Sequence, residues 1–178
     1  MIVSEQQREE NFQEYLRLLH DPYYYDVCFD EQSGGVSAIH LNHKFDTVIG
    51  AFGLKKGDYE KNTLYVLRRR GHVVTLESEL APNGVKTPYG LIDGMVMDIK
   101  ATEKDGKWSV KKKIHSAAKQ GAECIILYFH EKRLFSLERI NDGWKKFLVD
   151  KDSQPYVAII KRVICVVEDK AFDWHPSQ

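Results

Sequence analysis

Only three of the 178 residues are cysteine. Cys28, Cys124 and Cys165 form neither a CxxC pair nor a His/Cys array of zinc-finger spacing, which argues against a disulfide scaffold and against a small zinc module. The apolar runs CIILYF and VICVV around the last two predict buried, reduced thiols. No apolar stretch approaches the roughly 18 residues needed to cross a bilayer, and the charged opening MIVSEQQREENF lacks the pattern of a signal peptide. The expectation is a chain with no membrane segment that acts in the cytoplasm. An excess of charge is missing too: 26 basic residues balance 26 acidic ones. Any affinity for nucleic acid or another polyanion must therefore come from local clusters.

What is present reads as one ordered domain, with 43% hydrophobic and 29% charged residues. Ser4 to His20 predicts an amphipathic helix, Ser4 its N-cap, with Phe12, Tyr15, Leu16 and Leu19 on one stripe. YYYDVCFDEQSGGVSAIHL then predicts two short strands about a Ser-Gly-Gly turn. Residues 1–56 are an accessory helix and hairpin, and residues 57–178 a core, the two forming one compact unit. A second helix opens at Gly57 and Asp58 and is stopped by Gly71. On it Glu60, Leu64 and Leu67 share one face, so a carboxylate either looks inward or lies half exposed at the helix dipole. HVVTLESEL is a strand with Val73, Thr75, Glu77 and Glu79 on one side, and a Pro-Asn-Gly turn follows at residues 82 to 84. WSVKKKIHSAAKQG predicts a helix capped by Ser109 and ended by Gly121, ECIILYF a buried strand, SLERINDGWKKFL a helix with Leu137, Ile140, Trp144 and Phe147 inward, and YVAIIKRVICVVED one or two strands.

The stretch TPYGLIDGMVMDIKA holds the chemistry. Asp93-Gly94 between apolar runs predicts a two-residue type I′ turn, pairing Ile92 with Met95, Leu91 with Val96, Gly90 with Met97 and Tyr89 with Asp98. Asp98 and Lys100 then project from one face, either as a solvated ion pair on an edge strand or as a pair able to flank a reacting phosphate. The order helix with inward Glu, strand, hairpin ending in acid-x-Lys, helix with a late Gln, buried strand resembles the PD-(D/E)xK nucleases. It is more similar still to the C-terminal nuclease domains of contact-dependent growth inhibition and other polymorphic toxins. The residues carrying the resemblance are Lys86, Pro88, Asp93, Gly94, Asp98, Lys100, Ala117 and Gln120, with Glu60 before them.

The resemblance implies an α/β fold: a central mixed sheet with flanking helices and a restriction-endonuclease-like core, extended by the N-terminal helix and hairpin. It also implies a nuclease whose catalytic residues are Glu60, Glu77, Asp93, Asp98 and Lys100. Magnesium or manganese would sit on Asp98 and Glu77, with RNA, tRNA in particular, ahead of DNA, and with an acidic immunity protein as partner. One departure is Tyr89, which stands where the family has a metal-binding Asp; a phenol is a poor magnesium ligand. Glu77, Glu79 or Asp93 replaces that carboxylate, or catalysis is metal-free. For the metal-free route a second resemblance, to barnase-, colicin- and EndoU-like domains, brings in Lys100 with His115 or His72 as acid and base. Nucleic-acid contact is expected from a ridge of Lys112, His115 and Lys119 together with Gln120, and from Arg68, Arg69 and Arg70. The rival reading is a non-catalytic nucleic-acid- or protein-binding module on an eroded nuclease scaffold.

Overall fold

The computed structural model describes residues 3–80 and 88–176. Lys86 and the Pro-Asn-Gly turn expected at residues 82 to 84 lie outside the described residues. Helix α1 (Glu5–His20) precedes strands β1 (Tyr24–Phe29) and β2 (Val36–His40). Helix α2 (Lys56–Arg69), β3 (Val73–Leu76), β4 (Gly90–Ile92) and β5 (Met95–Ala101) follow. Then come α3 (Ser109–Lys119), β6 (Cys124–Phe129), α4 (Leu137–Val149), β7 (Arg162–Val167) and β8 (Lys170–Trp174).

Among the described residues the strands form one eight-stranded mixed sheet in sequence order. The pairs β2/β3, β5/β6 and β6/β7 are parallel and the other neighbours antiparallel. Helix α2 packs on one face, where Tyr59, Leu64 and Leu67 meet Val74, Met97, Ile99 and Ile126. On the other, Val110 and Ile114 of α3 and Ile140 and Phe147 of α4 meet Ile125, Leu127 and Cys165. Every residue of β6 is buried, as a strand covered on both faces must be. Cys124 and Cys165 are buried free thiols, and burial pushes each up to about 12.

The hairpin matches its expected turn: Asp93 and Gly94 both have positive φ, 48° and 81°, as a type I′ turn requires. Its ladder runs from Ile92↔Met95 to Gly90↔Met97 and stops there, one pair short of Tyr89 and Asp98. Helices α3 and α4 approach closely at Gly143, where a β-carbon would lie 2.6 Å from Val110 Cγ1.

Five local expectations are corrected. Ser4 does cap α1, but the buried stripe is rotated: Asn11 and Leu18 face inward, Asn11 donating to the Gly34 carbonyl at 2.8 Å, while Phe12 and Leu19 are exposed. A polar side chain that finds buried carbonyl partners outcompetes a phenylalanine for that position. Strand β3 ends at Leu76, short of the expected run to Leu80: Glu77 N–H still donates to the Tyr89 carbonyl at 3.0 Å, but Glu79 N turns to the Asn42 carbonyl. Ser109 is the first helical residue of α3 and not its cap, and Leu137 at the start of α4 is exposed. Gln154–Ile159 forms a 3-10 helix, not a strand, with Pro155 pre-set for its first turn and Tyr156 and Val157 packed under α3 and α4.

Candidate active site

Strand β5 outlasts its neighbour. Its first three residues pair with β4, but from Asp98 to Ala101 the antiparallel ladder is gone and only β6 remains beside it. Asp98 and Lys100 lie in register with Ile125 and Leu127, so they project to the α3 face, while Met97 and Ile99 project to α2. At this open edge residues from both faces can meet. A cavity of about 460 Å³ occupies the gap. Asp98 and Lys100 of β5, Lys56, Tyr59 and Glu60 of α2, and Lys113 and Gln120 of α3 line it, with Asp46, Glu79, Tyr89 and Glu103 from the connecting segments.

Asp98 is 2% exposed and its Oδ2 lies 2.7 Å from Lys100 Nζ. The contact is an ion pair without an aligned hydrogen bond to that oxygen. Burial raises the Asp98 pKa above the ordinary carboxylate range, against the opposing pull of Lys100, the Ile99 N–H and Lys113. Lys100 also donates to Gln120 Oε1 at 3.5 Å.

Of the two placements open to Glu60 the structure shows the inward one, 9% exposed. Burial raises its pKa, partly opposed by His43. The His43 side chain is fully buried. Its Nδ1 is 3.0 Å from the Glu77 carbonyl, which can only accept, so Nδ1 carries a proton. Nε2 then faces Glu60 Oε2 at 3.4 Å, and Glu79 Oε1 is 3.7 Å from Nδ1. Burial lowers the His43 pKa, but Glu60, the Glu77 carbonyl and Glu79 together raise it above its ordinary value. Tyr59 donates to Glu103 Oε1 at 2.9 Å and Ala51 N–H to the same oxygen at 3.1 Å, so Glu103 ties the segment before α2 to the end of β5.

The site therefore gathers Glu60, Asp98, Lys100 and Gln120. Asp93 is elsewhere, at the hairpin tip, accepting from Val73 N–H at 3.0 Å, 2.7 Å from His72 Nδ1 and 3.1 Å from an Arg162 nitrogen. The Glu77 carboxylate accepts from the Tyr24 hydroxyl at 2.8 Å and from Thr75, and does not line the cavity, whereas Glu79 does. His115 meets Ser153 Oγ at 2.8 Å beneath the 3-10 helix, and Lys112 and Lys119 are exposed on α3. Sequence reasoning passed over His43, Lys113, Lys56 and Glu103. The pairs Lys56/Glu60 and Lys113/Gln120 are legible as i, i+4 and i, i+7 neighbours once the cavity is known; a histidine in an irregular segment gives no such signal.

Residues 86–171 match the family model of the contact-dependent growth inhibition CdiA C-terminal domain. That segment holds Asp98, Lys100, Lys113 and Gln120; His43 and Glu60 precede it. A solved structure, the CdiA-CT/CdiI toxin and immunity complex from Burkholderia pseudomallei, shares the fold with a TM-score of 0.52 at 17% identity, covering 79% of this chain and 99% of that one. No curated protein matches the chain. Among the described residues no helix is long and apolar enough to cross a membrane.

The donor set can be tested for a divalent ion. Among the described residues no three His, Cys, Asp or Glu side chains are grouped to hold a metal between them. Yet the lining carries five carboxylates against three lysines, and Asp98 Oδ2 is buried without an aligned donor. A phosphodiester entering such a lining adds further negative charge. Magnesium, held by one or two carboxylates with phosphate and water oxygens completing its shell, fits both facts.

Proposed function

We propose that this protein is a nuclease that cleaves phosphodiester bonds, a toxic effector of the contact-dependent growth inhibition kind. The observation that carries this reading is the convergence of Glu60, Asp98, Lys100 and Gln120 on one cavity at the free edge of β5. The order α2, β3, β4, β5, α3, β6 agrees with a restriction-endonuclease-like core, and the family match over residues 86–171 supports the toxin assignment.

Lys100 presents its ammonium to the non-bridging or leaving oxygen and stabilises the charge that develops there. Gln120 limits where that ammonium can swing. Glu60, desolvated and backed by His43, with its pKa raised by burial, is the group suited to take or return a proton. Magnesium or manganese would be held by Asp98, with Glu79 in place of the carboxylate that Tyr89 lacks, and would supply Lewis-acid neutralisation of the phosphate. RNA, with tRNA foremost, is the substrate class the resemblance favours, and an acidic immunity protein is the partner that would cover the basic surface of α3.

Purified protein incubated with total RNA and with plasmid, with and without magnesium, tests the proposal. Cleavage that Lys100→Ala abolishes and the exposed Lys151→Ala retains is the expected result. Tight nucleic-acid binding with no cleavage would move the protein to the binding-module class.

A further inference from the structure

Lys56 and Lys113 both line the cavity. Among the described residues neither ammonium is in ion-pair contact with an acid, whereas Lys100, on the strand between them, is paired with Asp98. The two come from opposite faces of the sheet, Lys56 from the first turn of α2 and Lys113 from the cavity side of α3, and both end in the gap at the edge of β5. The cavity is polarised. Glu60 feels His43, Glu79 and Asp46, an acidic neighbourhood around one histidine. Lys113 feels Lys100, Lys56, Glu103 and Asp98.

Lys100 and Lys113 are half-buried and Lys56 is exposed; cations facing one gap repel one another, and the two half-buried ones give up part of their hydration. Lys113 shows the effect: burial, and then Lys100 and Lys56, push its pKa below the ordinary lysine value. Such an arrangement is relieved by an anion. Lys112, one residue away, is exposed on α3 and does not line the cavity.

We infer that Lys56 and Lys113, on either side of the Asp98–Lys100 pair, form a phosphate seat at the basic end of the cavity, away from the Glu60, Glu79 and Asp46 carboxylates. In a nuclease this seat holds a backbone phosphate next to the one under attack and sets the register of the strand; that biological role rests on the function proposed above. Affinity for phosphate does not, because at this end of the net-acidic cavity it needs only the two ammonium groups that no carboxylate among the described residues pairs.

The test uses the full chain in metal-free buffer with inorganic pyrophosphate as probe, followed by thermal shift and by chemical-shift perturbation. Wild-type protein is expected to bind, Lys113→Gln to bind about tenfold more weakly, Lys56→Gln to lose affinity as well, and Lys112→Gln to match the wild type. Lys113→Arg, which keeps the charge, should recover most of the affinity and guards against a folding defect in the glutamine variant. No binding by the wild type, or equal binding by Lys113→Gln, overturns the seat. Salt dependence of oligonucleotide binding gives a second reading: removal of Lys113 should lower the slope of log K against log salt by about 0.7 for a single strand. Binding of pyrophosphate without any cleavage leaves the seat standing and sinks the nuclease; cleavage with Lys113-independent phosphate binding does the reverse.

Discussion

Lys100 Nζ stands 2.7 Å from Asp98 Oδ2 at the point where β5 loses its β4 neighbour, and the two members of the pair are unequal: the carboxylate side chain is 3% exposed, the lysine 17%. Burial raises the Asp98 pKa, so its ionised form costs stability at neutral pH. Asp98→Asn should therefore fold at least as stably as the wild type at neutral pH, an advantage that shrinks as pH falls through the raised folded pKa and is gone below the unfolded aspartate value of about 3.9. Lys100→Ala leaves the buried carboxylate unpaired and should cost about 3 kcal/mol. Both should lower cleavage by about a hundredfold or more. Urea midpoints set against cleavage rates check the asymmetry, and equal destabilisation by the two substitutions would contradict it.

Helix packing offers an independent check. A β-carbon on Gly143 would lie 2.6 Å from Val110 Cγ1 and 2.7 Å from its Cβ, between two helices whose backbones cannot both stay in place. Gly143→Ala gains about 1 kcal/mol of helix propensity but should still lose about 1 to 2 kcal/mol net from overpacking. The double variant Gly143→Ala/Val110→Ala should recover part of the loss in urea melts. If the single substitution stabilises the protein, the close approach is not constraining.

Much of this was legible in the chain because local rules agreed with the fold. Asp-Gly set the hairpin and its register, the i, i+4, i+7 spacing put Glu60 on the inward face of α2, and the apolar run from Cys124 gave the central strand. The misses share a cause: a partner distant in sequence decided the outcome. Asn11 displaced the apolar stripe of α1 by bonding to Gly34 and Gly71, and His43 gained its role only when the Glu77 carbonyl and Glu60 closed around it. The ridge expected on α3 is Lys112, His115 and Lys119, whereas the α3 lysine that lines the cavity is Lys113, a difference of one residue that spacing within the helix does not decide.

His43 ought to imprint a pH dependence on stability. Its folded pKa is raised above the unfolded value, with Glu60 facing Nε2, the Glu77 carbonyl and Glu79 facing Nδ1, and the rings of Phe45 and Tyr89 against it. The contribution is thus fully present below the unfolded histidine pKa of about 6.5 and is lost as pH rises through the folded value. Glu60, also raised, acts in the same sense at lower pH. His43→Gln should cost about 2 kcal/mol at pH 6 and flatten the decline of stability above pH 6.5. Denaturant melts at pH 6 and 8.5 measure this, and an unchanged slope in the variant would place the dependence elsewhere.

Asp93 and Asp98 are five residues apart and should behave in opposite ways. Asp93 sits at the hairpin tip, bonded to Val73 N–H and flanked by His72 and Arg162, far along β5 from the cavity lining. Burial pushes its pKa up, but His72, the Val73 N–H and Arg162 outweigh that and hold it below the ordinary value. A depressed pKa gives stability that is present above the unfolded value of about 3.9 and lost as pH falls through the folded one. Asp93→Asn should therefore lose about 1 kcal/mol at pH 7, a figure discounted because the side chain is 34% exposed and the pair is screened. It should also unfold less steeply in acid than the wild type. Cleavage should persist within a few fold, since the substitution leaves the residues around Lys100 untouched. A hundredfold loss of cleavage in a folded Asp93→Asn protein would instead make the hairpin tip part of the reacting site and would move the catalytic centre away from the open edge of β5.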